Sequence, residues 1–227
     1  MRNSDIYIII PAFNEEQTIR SVVESLLPMG YMIVIVDDGS TNATINSLHG
    51  LPLFYIRHEI NLGQGAALQT GITFALTMEA RIFVTFDADG QHTAADIDNL
   101  IKPLLLNEAD VVLGSRFLPS AFTNISFLKK QAIRLARLVN FLFTGVWLSD
   151  AHNGLRAFNE KTAAVLDLKE NGMAHASEIF FAICQSKLRI REVPVTIHYT
   201  TYSRGKGQSV FNSLKIFFDI VLNRIFE

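Results

Sequence analysis

The stretch Arg81–His92, RIFVTFDADGQH, decides how the rest of the chain is read. Ile82, Phe83, Val84, Thr85 and Phe86 form a short apolar run rich in β-formers, the signature of a buried strand. It stops abruptly at Asp87-Ala88-Asp89-Gly90-Gln91-His92. In an open α/β sheet, ligands gather at the carboxyl ends of the strands. Two carboxylates one residue apart at such an edge suit a hard divalent cation. Mg²⁺ takes one or two carboxylates and fills its other positions with water and substrate phosphate oxygens. Gly90 permits the sharp turn that would bring Gln91 or His92 to the same ion. A polar turn after a strand is the competing reading, because Asp and Gly are ordinary turn residues, and a lone D-x-D pattern is weak.

Outward from this stretch, strand and helix signals alternate. Ile6–Ile10 reads as a strand followed by Pro11-Ala12-Phe13-Asn14-Glu15-Glu16, with Asn14 placed to cap a helix and the two Glu in its first turn. Ile19, Val22, Val23, Leu26 and Leu27 recur at helical spacing until Pro28 and Gly30 end the run. Strands are expected at Tyr31–Val36 and Leu53–Arg57, with Asp37-Asp38-Gly39-Ser40 closing the first. Asn61-Leu62-Gly63-Gln64-Gly65 opens a helix with a face of small residues. A helix over 94–106 and a strand over 110–113 follow. Short strands alternating with helices imply a mostly parallel central sheet with helices on both faces, an α/β fold.

The second half is richer in Phe and Leu. Phe117–Leu148 carries Lys129, Lys130, Arg134 and Arg137 along a helical pattern. Asp150–Phe158 reads as a loop entering a short strand. Helices are expected over 160–168 and 177–187, and a strand over 190–197. The tail Ser209–Glu227 is apolar, with Asn212, Lys215, Asp219 and Asn223 in one narrow polar stripe. The expected organisation is one domain over 1–208 and an amphipathic helix over 209–227.

Composition sets bounds. The 227 residues are 49% hydrophobic and 19% charged, with a net charge of −2. That is a folded chain with no basic field to attract nucleic acid. The single Cys184 excludes an intramolecular disulfide and a cysteine-based zinc site. No signal-peptide pattern or spanning-length apolar run appears, so a cytoplasmic location is expected. G-x-G-x-x-G is missing after the first strand, and no Walker motif occurs, which argues against redox and P-loop chemistry. What remains is a row of polar strand ends: Asn14 and Glu15, Asp37 and Asp38, Asp87 and Asp89. Such groups accept from ribose hydroxyls or a base N–H and hold a metal, and a nucleoside diphosphate needs all three. Capping by Asn14 and turn-shaping by Asp37 or Asp38 are the alternatives.

The ordered pieces IPAFNEE (10–16), VDDGS (36–40), NLGQGAALQTGI (61–72), DADGQH (87–92), GSRF (114–117), SDAHNGLRAF (149–158) and YSRGKGQS (202–209) together resemble the family 2 glycosyltransferases of the GT-A fold, in the subgroup of dolichol- and polyprenyl-phosphate sugar transferases. The resemblance implies an enzyme moving a sugar from a UDP- or GDP-sugar to a polyprenyl phosphate. It implies that Pro11, Ala12, Asn14 and Glu15 line the nucleoside pocket and that Asp38 faces the base or ribose. Gln64, Asp87 and Ala88 would lie near the donor, and Asp89 and Gln91 would bind Mg²⁺ or Mn²⁺. Arg116, Arg134 and Arg204 are the matching phosphate-binding candidates. Glu178 is the candidate base or acceptor-orienting group. Relatives commonly carry Lys where Gln64 stands and Phe where Leu155 stands. A lipid acceptor implies peripheral attachment to the inner face of the cytoplasmic membrane, or a separately encoded membrane protein, through 117–148 and the tail. Packing within the protein or between copies is the other use of those segments. A glycan hydroxyl as acceptor, or a non-catalytic nucleotide-sugar-binding subunit, are the alternative functions.

Overall fold

The computed structural model describes residues 1–200 apart from 126, 128, 129, 132, 135, 136, 139, 140, 142–144, 151, 152, 173 and 174. At its centre is β1 (Ile6–Ala12), seven residues buried along their whole length. A strand covered on both faces has no polar side, which is why its sequence is a continuous apolar run. It pairs in parallel with β2 (Met32–Asp37) and with β4 (Ile82–Thr85), Ile8 lying opposite Ile33 on one side and Val84 on the other. β3 (Phe54–Arg57) extends the sheet beyond β2. On the far side come β7 (Arg156–Asn159), β5 (Val111–Ser115) and β8 (Ile190–Pro194), for the order β3-β2-β1-β4-β7-β5-β8. β7 runs antiparallel to both neighbours, while the other pairs are parallel. The N-terminal end of β7 therefore meets the C-terminal ends of β4 and β5 at one edge.

Helices cover both faces, as expected. α1 (Ile19–Leu26) buries Ile19, Val22, Val23 and Leu26 against Ile8 and Ile10, and α3 (Asp96–Leu105) adds Ile97, Leu100, Ile101 and Leu104 to the same side. Each such fully buried aliphatic side chain contributes roughly 1.5–3 kcal/mol. The opposite face packs Tyr7, Ile9, Val34 and Val36 against Ala67, Leu68, Ile72 and Ala75 of α2 (Gln64–Thr77).

Several sequence expectations change. Asn14 does not cap α1, which begins five residues later. It adopts a left-handed φ of 57°, and its side-chain oxygen accepts the Thr41 N–H at 2.9 Å. The helix expected over 160–168 ends early, as α4 (Glu160–Ala163) capped by Asn159. Beyond it, Leu166 and Leu168 both enter the core, and Gln69 takes the Leu168 N–H at 2.8 Å, contacts that a continuing helix does not allow. α5 (His175–Gln185) starts two residues before its expected position. The strand expected over 190–197 divides. β8 stays with β5, while β9 (Thr196–Ile197) leaves to pair with β6 (Phe122–Thr123) in a second, two-stranded sheet. Among the described residues no helix is long and apolar enough to cross a membrane. The expected tail helix lies outside the described residues.

Candidate active site

The C-terminal edge of the parallel strands gathers every acidic turn singled out above, but in two different states. After β2, Asp37 and Asp38 are 1% and 2% exposed. Asp37 accepts the Ser40 N–H at 2.9 Å and the Tyr55 hydroxyl at 2.5 Å. Asp38 accepts from Leu62 N–H at 2.9 Å, Gly63 N–H at 2.7 Å and His58 Nδ1 at 2.8 Å. His58 Nε2 in turn meets Thr70 Oγ1 at 2.9 Å. Asp38 holds the loop that starts α2, while Asp37 holds its own turn and ties it to β3. The base or ribose contact expected of Asp38 thus meets a carboxylate already engaged with that loop. Pro11 is buried in β1 beside them, and Ala12 gives its carbonyl to the Asp38 N–H at 2.8 Å. Asn14 and Glu15 donate their N–H groups to Ser40 Oγ at 2.8 Å and Thr44 Oγ1 at 3.0 Å.

After β4 the turn stays open. Asp87 keeps 30% of its side-chain surface, with one oxygen 2.9 Å from His92 Nε2 and the other 3.3 Å from the Gln64 amide. Burial alone would raise its carboxyl, but the His92 hydrogen bond, with the charges of His92 and Arg156, holds it below the usual range. Asp89 goes the other way, raised by burial and then by the negative charge of Asp87. Its oxygens accept the Gln91 N–H at 3.0 Å and the Gln91 side-chain amide. Ala88 is buried in the core, which leaves only its main chain for a ligand. A Cβ on Gly154 would strike the Asp87 carboxylate, so β7 reaches this turn only with glycine there.

A divalent cation fits this turn. The two carboxylates crowd negative charge that an ion would neutralise, and among the described residues buried His92 Nδ1 has no hydrogen-bond partner. No group of three or more His, Cys, Asp or Glu side chains among the described residues is arranged to hold a metal unaided. An ion held by Asp89 and Gln91 therefore needs ligand oxygens from its substrate, as Mg²⁺ sites commonly do.

Across the sheet, Arg116 is committed to the protein. Its Nη2 and Nε reach both oxygens of the wholly buried Asp150, at 3.1 and 2.5 Å, and its Nη1 lies 2.5 Å from the Tyr199 hydroxyl. Asp150 is fixed from behind by Glu192, which accepts from Ser149 and Asp150 N–H groups at 2.9 and 3.1 Å. Glu178 is similarly occupied, its oxygens accepting Lys169 and Glu170 N–H groups at 2.9–3.1 Å. Both of its oxygens are taken up by these backbone groups, so in this structure the residue expected as base or acceptor-orienting group holds a loop. That loop presses on the start of α2, where Gly65 donates to Asn171 O at 2.9 Å and a Cβ on Gly63 or Gly65 would hit its backbone. Arg134 is exposed on a helical stretch, and Arg204 lies outside the described residues.

Arg156 opens β7 at this edge. It is 4% exposed. Burial lowers its pKa to about 10, against the nearby charges of Asp87 and Asp150, so it stays protonated at neutral pH. The only sequence signal for it was its place in the Ser149–Phe158 stretch.

The chain matches the family model described as glycosyl transferase family 2 over residues 7–187. The UDP-N-acetylglucosamine–dolichyl-phosphate N-acetylglucosaminyltransferase of Methanococcus voltae is 36% identical over 243 residues, covering 98% of this chain and 97% of that protein. The dolichol-phosphate mannosyltransferase of Pyrococcus furiosus is 28% identical, covering 92% and 62% respectively. Glucosyl-3-phosphoglycerate synthase from Mycobacterium tuberculosis, crystallised with Mn²⁺ and UDP-glucose, superposes with a TM-score of 0.73 at 18% identity, over 95% of this chain and 76% of that one. The last likeness shows the GT-A fold. With the acidic turns at the strand ends and the family model over most of its length, the chain belongs to the family 2 glycosyltransferases.

Proposed function

We propose that this enzyme transfers a sugar from a UDP-sugar to the phosphate of a polyprenyl phosphate, with Mg²⁺ or Mn²⁺ and inversion at the anomeric carbon. The observation that carries this reading is the open Asp87–Asp89 turn, where surplus negative charge faces the strand-end edge. The relative from M. voltae, named for UDP-N-acetylglucosamine and dolichyl phosphate, supports both substrate classes. Asp89 and Gln91 would hold the ion, which, when bound, offsets charge growing on the departing diphosphate, an effect of several kcal/mol. Pro11, Ala12, Asn14 and Glu15 line the nucleoside side, and Asp38 shapes its loop.

The acceptor phosphate needs little help to attack. Its second pKa is about 6, so it is largely dianionic at neutral pH. One of its oxygens bonds to the anomeric carbon as the bond from that carbon to the diphosphate breaks, and UDP leaves. No proton has to move, which agrees with a Glu178 spent on backbone N–H groups and disfavours a glycan hydroxyl as acceptor. Arg134 and Arg204 are assigned to grip the acceptor phosphate, with Arg116 and Asp150 forming the fixed wall behind it.

A lipid acceptor also fits the exposed apolar side chains Phe122, Phe127, Leu138, Phe141 and Trp147. Arg137 lies over the Trp147 ring at 4.6 Å, the mix of aromatic and basic groups that binds a membrane interface. Peripheral attachment at the cytoplasmic face, for envelope glycan assembly, follows from that acceptor. The test is transfer of radiolabelled N-acetylglucosamine from its UDP donor to undecaprenyl phosphate with Mn²⁺, with Asp89→Ala as control. Lipid-linked product from the wild type alone supports the reading. Equal product from the variant removes the metal assignment, and label only in free sugar removes the acceptor.

A further inference from the structure

Two buried groups beside the open turn have polar atoms that no described group uses. Among the described residues, no hydrogen bond and no ion pair reaches the Arg156 guanidinium, although the residue is 4% exposed. A guanidinium carries five N–H donors and no acceptor, and leaving a charge buried without partners is costly. The two nearby carboxylates are used elsewhere: Asp150 by Arg116, and Asp87 by His92 and Gln64. Arg156 pairs with Thr85, two residues before Asp87, and Gly154 on the same strand lies against the Asp87 carboxylate. Its empty donors therefore belong to the floor of the edge where Asp87 is exposed.

His175 stands at the start of α5, 5% exposed. A Cβ on Gly65 would come within 2.8 Å of its own Cβ, and the charges of Arg156 and Asp87 both act on its ring. Its Nδ1 is 2.8 Å from the Gly172 carbonyl. A carbonyl only accepts, so Nδ1 carries the proton, and burial together with Arg156 lowers the ring's pKa and keeps it neutral. Nε2 is then a lone pair, and no described group donates to it. The pair thus presents several donors next to one acceptor.

We propose that Arg156 and His175 form the subsite for the sugar ring of the donor. Arg156 donates to the ring's hydroxyl or amide oxygens, and His175 Nε2 accepts from one of its hydroxyls. This rests on the nucleotide-sugar reading above and adds which residues choose the sugar. A phosphate is the competing occupant. A phosphate at neutral pH offers acceptor oxygens alone, which suit Arg156 but face a lone pair at His175. A hydroxyl both donates and accepts, so it satisfies the two side chains together. Sites that hydrogen-bond a substrate hydroxyl reject analogues lacking it strongly, because buried polar groups are then left unpaired.

The experiment is calorimetric titration of the whole protein with Mn²⁺ and, separately, UDP, UDP-N-acetylglucosamine and UDP-glucose. Two variants are compared with the wild type. Arg156→Met removes the charge at similar volume. His175→Asn keeps an N–H for the Gly172 carbonyl and deletes Nε2. Removing a buried charged hydrogen-bonding group should weaken binding of the preferred UDP-sugar about 10–100-fold in Arg156→Met, and about 5-fold in His175→Asn, while UDP alone changes less than about two-fold. Arg156→Met should also melt at or above the wild-type temperature, since no protein partner is lost. A parallel loss of UDP affinity would assign the pair to the diphosphate and overturn the proposal. So would unchanged UDP-sugar binding, or a lower melting temperature in Arg156→Met. Failure of wild-type protein to bind UDP at all would instead remove the donor reading, and the subsite with it.

Discussion

Two turns of this enzyme are spelled almost alike and lie in opposite surroundings. Asp37-Asp38-Gly39-Ser40 follows β2, and Asp87-Ala88-Asp89-Gly90 follows β4, at the same edge of the sheet. The first is closed: five donors, namely a tyrosine hydroxyl, a histidine and three backbone N–H groups, satisfy its two carboxylates. The second is open: one carboxyl is held below its usual range and the other raised, and among the described residues buried His92 Nδ1 beside them has no hydrogen-bond partner. A buried carboxylate is stable where backbone donors converge on it. Where they do not, the leftover charge is available to a ligand. Acidic residues at strand ends thus differ in how many donors the fold brings to them.

The sharpest way to break this contrast is to empty the open turn. Asp89→Ala should reduce sugar transfer roughly 10³-fold, since charge stabilisation of several kcal/mol is lost, while thermal unfolding stays within about a degree of wild type. A variant that melts much lower, with transfer intact, would show that the second turn is a loop-holder too. The mirror experiment is Asp38→Ala. It strands the His58, Leu62 and Gly63 donors and should cost about 3 kcal/mol in denaturant unfolding, with residual transfer showing an unaltered Mn²⁺ dependence.

Asp110 offers a control at the opposite edge of the sheet, just before β5. Arg189 hydrogen bonds to its carboxylate, opposed by burial and aided by Asn159, hold its pKa well below the usual carboxylate range. A depressed folded pKa contributes stability that is present above the unfolded value and is lost as pH falls through the folded one. Asp110→Asn should therefore lower stability by about 1–2 kcal/mol at pH 7, with the gap to wild type narrowing below about pH 4. An equal gap at pH 7 and pH 2.5 would show that the charge is not what stabilises. The smallest expected effect is at Gln64, whose amide is 3.3 Å from Asp87. Gln64→Lys adds a cation beside a partly exposed carboxylate, worth up to about 1 kcal/mol. It should lower KM for the donor a few-fold and leave melting unchanged.

Much of this was legible from residue order. Period-2 and continuous apolar runs placed β1, β2 and β4 within a residue or two, because strands buried on both faces have no polar position to blur them. Period-3.6 spacing placed α1, and its four apolar positions are the buried ones. The expectation failed where a distant contact overrides a local preference. The helix after Asn159 stops because Gln69, a long way back in the chain, takes the Leu168 N–H. The strand over 190–197 divides because Ile197 finds β6. Arg116, a phosphate-binding candidate from its motif, is found bonded to Asp150 and Tyr199, partners that residue order did not reveal.

By itself the order of residues determined the α/β alternation, the strand-end position of each acidic pair and the family the chain belongs to, since these depend on local periodicity and on motifs close together in the chain. Tertiary structure alone decided which acids and arginines are spent. Whether Asp38 or Asp89, Arg116 or Arg156 retains unused hydrogen-bonding capacity depends on donors and acceptors brought from tens of residues away. A charge is available for chemistry where the fold brings few donors to it.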